Sequence, residues 1–337
     1  MSVARHAAPP SWQEVGTVSV ERVISVSPRK SGTHLLQELM VLLGYSIYGE
    51  TIPPAQGVVG LSLRQRIDLA ERFLHPDELA NLDHRSDREG FVQTTNHLWQ
   101  QVAELWQAKL AAINVPHSKL AFPELRHSLP MHPRAWQRPF ASTPPGTCWM
   151  FHSLDIWRVD PSFLREWQSP SGPRLVLNYR DPRDALISMA TFLSGDGGHQ
   201  ISRQPEAAVF RPILQGLPSM SDRITYLLRD PAIPLLADFE SAISLLHHPD
   251  VCPVSFEELV GEQGAGTAAS QLATVRRVMD HVESDLDPKA VAEKVYNRNS
   301  YSFHRGQIGA WQQLFTSEHR RLFDARFGHL LEIFAYA

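Results

Sequence analysis

Residues 22 to 34 read Arg-Val-Ile-Ser-Val-Ser-Pro-Arg-Lys-Ser-Gly-Thr-His and run on into Leu35-Leu36-Gln37-Glu38-Leu39-Met40. A β-branched strand from Val23 to Val26 thus feeds a helix through a short loop that holds one lysine, two hydroxyls and a glycine. The strand sets the direction of entry, and Gly32 lets backbone N–H groups approach an anion closely. A helix opening near Thr33 or His34 adds the positive end of its dipole, and Lys30 supplies a compensating charge. This is the pattern of a phosphate-type anion cradle at the carboxyl end of a strand.

It is not a nucleotide P-loop of the Walker kind, which needs a first glycine, four residues, and then Gly-Lys-Ser/Thr. Here that first glycine is missing, and Lys30 precedes the Ser31-Gly32-Thr33 triplet. A second informative stretch begins at residue 174. Arg174-Leu175-Val176-Leu177-Asn178-Tyr179 reads as a buried strand, and Arg180-Asp181-Pro182-Arg183-Asp184 turns it into a helix starting near Pro182. Arg180 falls at the strand's carboxyl end and Ser188 two turns into the helix, and a guanidinium fork with a hydroxyl suits a dianionic phosphate. A third stretch, Phe303-His304-Arg305-Gly306-Gln307-Ile308-Gly309-Ala310-Trp311-Gln312-Gln313-Leu314-Phe315-Thr316, spaces two glycines three apart, as a loop wrapping an anion with its backbone requires.

Taken in order, the three stretches resemble those of sulfotransferases that use 3′-phosphoadenosine 5′-phosphosulfate (PAPS). Lys30-Ser31-Gly32-Thr33 resembles that family's 5′-phosphosulfate loop. Arg180 with Ser188 resembles its 3′-phosphate site, and residues 303–316 resemble its Phe-Arg-Lys-Gly-x-x-Gly-Asp-Trp nucleotide lid. The resemblance implies a P-loop-NTPase-like sulfotransferase fold. It implies a nucleotide site formed by Arg29, Lys30, Ser31, Gly32, Thr33 and His34 together with Arg180, Ser188, Phe256, His304, Arg305 and Gly306. The chain also departs from the pattern. Leu35 stands where the family has a tryptophan on the adenine, His304 takes an arginine's place, and Phe256-Glu257-Glu258-Leu259 replaces Tyr-Glu-Asp-Leu. Pro28 is displaced by one residue through Arg29.

Length and composition set wider bounds. A chain of 337 residues, 43% hydrophobic, buries one large core, and strands alternating with helices give an α/β class: a parallel sheet flanked by helices. The expected order is a tail over residues 1–16 and a single domain over 17–337. Within that domain an added helical, Pro-rich cap spans about 51–145, which serves either an acceptor site or a homodimer surface. Strands are expected at 45–48, 147–152 and 252–256 besides the two above. Helices are expected within 61–115 and at 161–167, 182–193, 219–229, 235–247, 268–282, 288–296 and 317–328. A net charge of −4 argues against nucleic acid and long polyanionic glycans as partners. Two cysteines, Cys148 and Cys252, favour a reducing compartment, with one structural disulfide as the alternative. No apolar run has spanning length and no secretory leader opens the chain, so a cytoplasmic enzyme with no membrane span is expected.

The chemistry implied is in-line transfer of a sulfuryl group, in which the protein positions reactants and stabilises charge on the leaving oxygen. Lys30, assisted by the N–H groups of residues 31–33, takes that second role; Ser31 adds a contact and Thr33 a phosphate ligand. An acceptor hydroxyl needs a base, and His152, ending a strand one before the Arg180 motif, matches the family's histidine, although Met150 replaces the lysine usual two residues earlier. His127, in Arg126-His127-Ser128-Leu129-Pro130, is the rival. Asp184 and Glu257 read as orienting groups, and Trp99 and Trp106 as core or pocket aromatics. His75, His84 and His97 lack ligand spacing, and no metal is called for. The acceptor is a small or medium organic hydroxyl compound, with lipid, glycosylated and carrier-bound forms left open. The alternatives are a nucleotide-dependent kinase and a non-catalytic nucleotide-binding protein of the same fold.

Overall fold

The computed structural model describes residues 18–49, 61–110, 139–156, 159, 161–195, 205–231, 233, 235–296 and 307–337. Five strands form one parallel sheet: β1 (Arg22–Val26), β2 (Ser46–Gly49), β3 (Thr147–Phe151), β4 (Arg174–Tyr179) and β5 (Val251–Ser255), in the order β2-β3-β1-β4-β5. Central β1 pairs with β3 from Arg22↔Thr147 to Val26↔Phe151, and with β4 from Val23↔Arg174 to Val26↔Leu177. The expected α/β architecture, a parallel sheet flanked by helices, is therefore what the chain adopts.

The period of two along each strand divides the core between the faces. Ile24, Val26, Trp149, Phe151, Leu175 and Leu177 join one hydrophobic cluster, while Val23, Cys148, Met150, Val176 and Val254 join the other. On the second face lie α1 (Thr33–Leu42), through Leu36, Leu39 and Met40, and two later helices, Ala268–His281 and Pro288–Val295. Both faces being covered explains why β1 is wholly buried and, after Arg22, apolar or small throughout.

The segment between β2 and β3 supplies α2 (Leu63–Phe73), α3 (Pro76–Ala80) and α4 (Arg88–Leu110). Ser62 and Gln65 close a capping box at the start of α2. On α4, Phe91, Leu98 and Val102 are buried, and Trp99 lies 5.5 Å from Trp149 of β3, within the first-face cluster. Trp99 thus belongs to the core. Arg66 of α2 is buried and ties the two long helices together, donating to Thr95 Oγ1 and Asn96 Oδ1 at 2.8 and 2.7 Å.

The helices that follow are α5 (Pro161–Trp167), α6 (Pro182–Ser194), α7 (Pro205–Gln215), α8 (Met220–Arg229), α9 (Leu235–Leu246), α10 (Phe256–Leu259), α11 (Ala268–His281), α12 (Pro288–Val295), α13 (Ala310–Leu314) and α14 (Ser317–Ile333). Three details correct the sequence reading. Helix α7 lies where no helix was expected; Pro212 falls inside it, yet Phe210 and Leu214 pack into the first-face cluster and outweigh the lost backbone bond. Phe256 opens a helix instead of closing β5, because Ser255 caps that turn with its side chain. The last helix continues five residues past the expected end, burying Leu330 and Leu331. Cys148 and Cys252 are both free and buried, so the disulfide alternative is not realised. No helix among the described residues is long and apolar enough to cross a membrane.

Candidate active site

The connection after β1 leads past β3 to the edge strand β2, whereas the connection after β3 crosses β1 to β4, so the winding changes direction here and a crevice opens at the carboxyl ends of β3, β1 and β4. The loop after β1, His152 after β3 and Arg180 after β4 all lie at that edge.

The loop is a tight turn that runs into a helix. Ser31 N–H donates to Pro28 O at 3.0 Å, Lys30 has a left-handed φ of 68°, and Gly32 has φ 90° as the N-cap of α1. A non-glycine residue in that region costs on the order of 1–2 kcal/mol, so the surrounding contacts must hold Lys30 there. Gly32 is required twice over, by its φ and because a Cβ would lie 2.5 Å from Cδ2 of Phe256. The Ser31 N–H, expected to assist Lys30 at an anion, here closes the loop's own turn. No side chain caps the start of α1, which leaves that helix end suited to an anion.

Several side chains fix this loop. Thr33 Oγ1 lies 2.9 Å from Ser27 Oγ, and Asn178 Nδ2 of β4 donates to Ser27 Oγ at 2.9 Å and to Ser31 O at 2.8 Å. Arg29 Nη1 donates to both carboxylate oxygens of buried Asp238 of α9, at 2.7 and 2.9 Å, while its backbone N–H donates to the same carboxylate. Arg29 therefore anchors the loop to α9. Lys30 extends its ammonium over the Phe192 ring of α6, 4.0 Å from the centroid. Although the residue as a whole is half-buried, the ammonium sits among protein atoms; desolvation, aided by repulsion from Arg180, lowers it to about 8.

Arg180 is buried, and its guanidinium carbon lies 4.3 Å over the Phe256 ring. It donates from Nη2 to Gln307 O at 2.7 Å and lies 3.7 Å from Asp184 Oδ2. The ring of Phe256 is thus shared by Gly32 and Arg180, which draws the loop after β1 and the end of β4 together. Asp184, almost fully buried on α6, accepts from Gly309 N–H at 2.7 Å and Trp311 N–H at 2.9 Å. Burial pushes its carboxyl up, against the opposing pull of Arg180 and those two N–H groups. Arg183 stacks 3.8 Å over the Trp311 ring. Glu257 accepts from Asp181 N–H and the Tyr336 hydroxyl, so both acids expected to orient neighbours have backbone N–H partners.

Two buried donors at this edge, Ser31 Oγ and Arg180 Nε, have no hydrogen-bond partner. Donors left so, beside a helix end without a side-chain cap, fit an anionic ligand such as a nucleotide phosphate. His152 Nδ1 lies 3.1 Å from Ser27 O; only a protonated Nδ1 donates to a carbonyl, so this tautomer leaves the basic lone pair on Nε2. Ser188 is half-buried on α6, and His34 occupies the first turn of α1. His304, Arg305, Gly306 and the rival base His127 lie outside the described residues. Asn178, Asp238, Phe192 and Gln307 escaped the sequence reading as site residues. Only Asn178 left a signal, a lone amide inside an apolar strand.

No family model matches this chain, and no curated protein matches it. Among the solved structures that match this chain are two with the same overall fold. One is a retinol dehydratase in complex with androsterone and the inactive cofactor PAP, covering 92% of this chain and 80% of its own, with 15% identity and a TM-score of 0.45. The other is mouse sulfotransferase SULT7A1 complexed with PAP, covering 93% and 85%, with 12% identity and a TM-score of 0.47.

Proposed function

We propose that this chain is a PAPS-dependent sulfotransferase that moves a sulfuryl group to the hydroxyl of a small or medium organic acceptor. The products are a sulfate ester and adenosine 3′,5′-bisphosphate. The carrying observation is the meeting of Lys30, the start of α1 at Gly32 and Arg180 on its Phe256 platform at one sheet edge, with His152 beside them. Arg180 and the neighbouring Ser188 helix suit the 3′-phosphate, and the Lys30 loop suits the 5′-phosphosulfate.

In the reaction His152 Nε2 takes the acceptor's proton as the acceptor oxygen bonds to sulfur. The bond from sulfur to the bridging phosphate oxygen breaks, and that oxygen leaves with the electron pair. Lys30, swinging from Phe192 towards the anion, stabilises the charge that grows there. Asp184 keeps Gly309 and Trp311, from the described part of the third motif, beside Arg180. The segment 51–145 is part of this reading as a cap: α4 packs through Trp99 on β3, the strand that ends beside His152.

Calorimetry with adenosine 3′,5′-bisphosphate, followed by transfer from sulfur-labelled PAPS to a panel of alcohols, phenols and hydroxylated lipids, tests the proposal. Uptake of the bisphosphate with label transfer supports it. Binding without transfer across the panel favours the non-catalytic alternative, and transfer of phosphate from a magnesium nucleotide favours the kinase.

A further inference from the structure

We infer that Asn178 is a positioning residue that holds the lysine loop and the histidine base in one frame. As far as the transfer itself is concerned, this rests on the sulfotransferase reading above; the hold on the loop does not. Asn178 sits inside β4 after Leu175, Val176 and Leu177, with 1% of its surface exposed. An amide is a poor strand former and costly to bury among apolar neighbours unless it is hydrogen-bonded. Both hydrogens of its Nδ2 go to the loop after β1, one to Ser27 Oγ and one to Ser31 O. Its Oδ1 is buried without a hydrogen-bond partner, so the amide is only half satisfied where it stands.

The two acceptors bracket the turn that carries Lys30. Ser31 O belongs to the residue directly after the left-handed lysine, and Ser27 opens the loop. Ser27 also offers its carbonyl to His152 Nδ1 at 3.1 Å and its N–H to Phe151 O at 2.8 Å. One rigid side chain on the central sheet thus reaches the cation through Ser31 and the base through Ser27. The charged groups around Lys30 are Arg180 after β4 and, one residue along the loop, Arg29 paired with Asp238 of α9.

The full-length chain is compared as wild type, Asn178→Leu and Ser27→Ala. Asn178→Leu keeps the volume and removes both donors. We expect it to fold, with kcat about 100-fold lower and KM for the acceptor within threefold of wild type, since misplacing a reacting group by about 1 Å costs that much. Carbon-13 NMR of the lysine side chains, assigned with Lys30→Arg, gives a readout independent of turnover. The Lys30 titration, near pH 8 in wild type, should move towards the ordinary lysine value in Asn178→Leu as the ammonium leaves its enclosed place. A folded Asn178→Leu with wild-type kcat and an unmoved Lys30 titration overturns the inference. Should that variant fail to fold, Ser27→Ala decides. Losing one acceptor, it should lower kcat about tenfold, and wild-type kcat there overturns the inference instead. Absence of any transfer by the wild type defeats the sulfotransferase reading alone and leaves the titration to judge Asn178.

Discussion

At the scale of single residues, burial has changed the chemistry of a common side chain. Lys30 is lowered to about 8 by desolvation and by Arg180, so in the free protein it carries its charge below that pH and loses it above. An anionic nucleotide favours the charged form. Affinity for adenosine 3′,5′-bisphosphate is therefore expected to hold steady below pH 8 and to fall by up to tenfold per pH unit above it. Calorimetry between pH 6.5 and 9.5 checks this, and Lys30→Arg should flatten the profile because arginine stays charged. His152 follows a different rule, since its Nδ1 is committed to Ser27 O. His152→Ala should lower the transfer rate by about 100- to 10,000-fold while bisphosphate affinity stays within about twofold. If His127→Ala has that effect and His152→Ala does not, the base is misassigned.

Elements matter because each motif gains its function from a neighbour. The glycine pair of the third motif looked from sequence like a wrap for an anion, yet Gly309 is held by Asp184 of α6, which also takes the Trp311 N–H and so anchors the start of α13. Removing a charged acceptor from two half-buried N–H groups costs about 1.5–3 kcal/mol for each bond to a charged group. Asp184→Ala should therefore raise hydrogen exchange across 307–314 and weaken nucleotide binding at least tenfold, with exchange in β1 and β4 unchanged. Equal protection of 307–314 in this variant would show that the helix start is held otherwise. Arg29 makes the converse point. Its place in the loop suggested a nucleotide contact, while the fold turns its Nη1 to Asp238, about 200 residues away in the chain.

For the whole molecule, the site is a property of the sheet order. Because β1 lies between β3 and β4, a lysine near residue 30, a histidine near 150 and an arginine near 180 become neighbours. A ligand bridging those segments stabilises all of them. Bisphosphate at 100 times its dissociation constant should add about 2.7 kcal/mol to unfolding stability and raise Tm by several degrees. Lys30→Ala should lose most of that rise, and scanning calorimetry with and without ligand measures both.

The sequence by itself determined what local chemistry can encode. Strand β1 and the lysine loop, the Arg180 turn, the alternation that makes a parallel sheet, and most helix starts were readable, because periodicity, glycine and proline act within a few residues. Tertiary structure alone decided which groups meet: Phe256 against Gly32 and Arg180, Asp184 on Gly309, Asp238 on Arg29, Phe192 under Lys30, and Asn178 across the loop. The physical reason is distance along the chain. Those contacts are made by side chains from separate strands and helices, and a hydrogen bond or stacked ring between them leaves no spacing pattern in either segment.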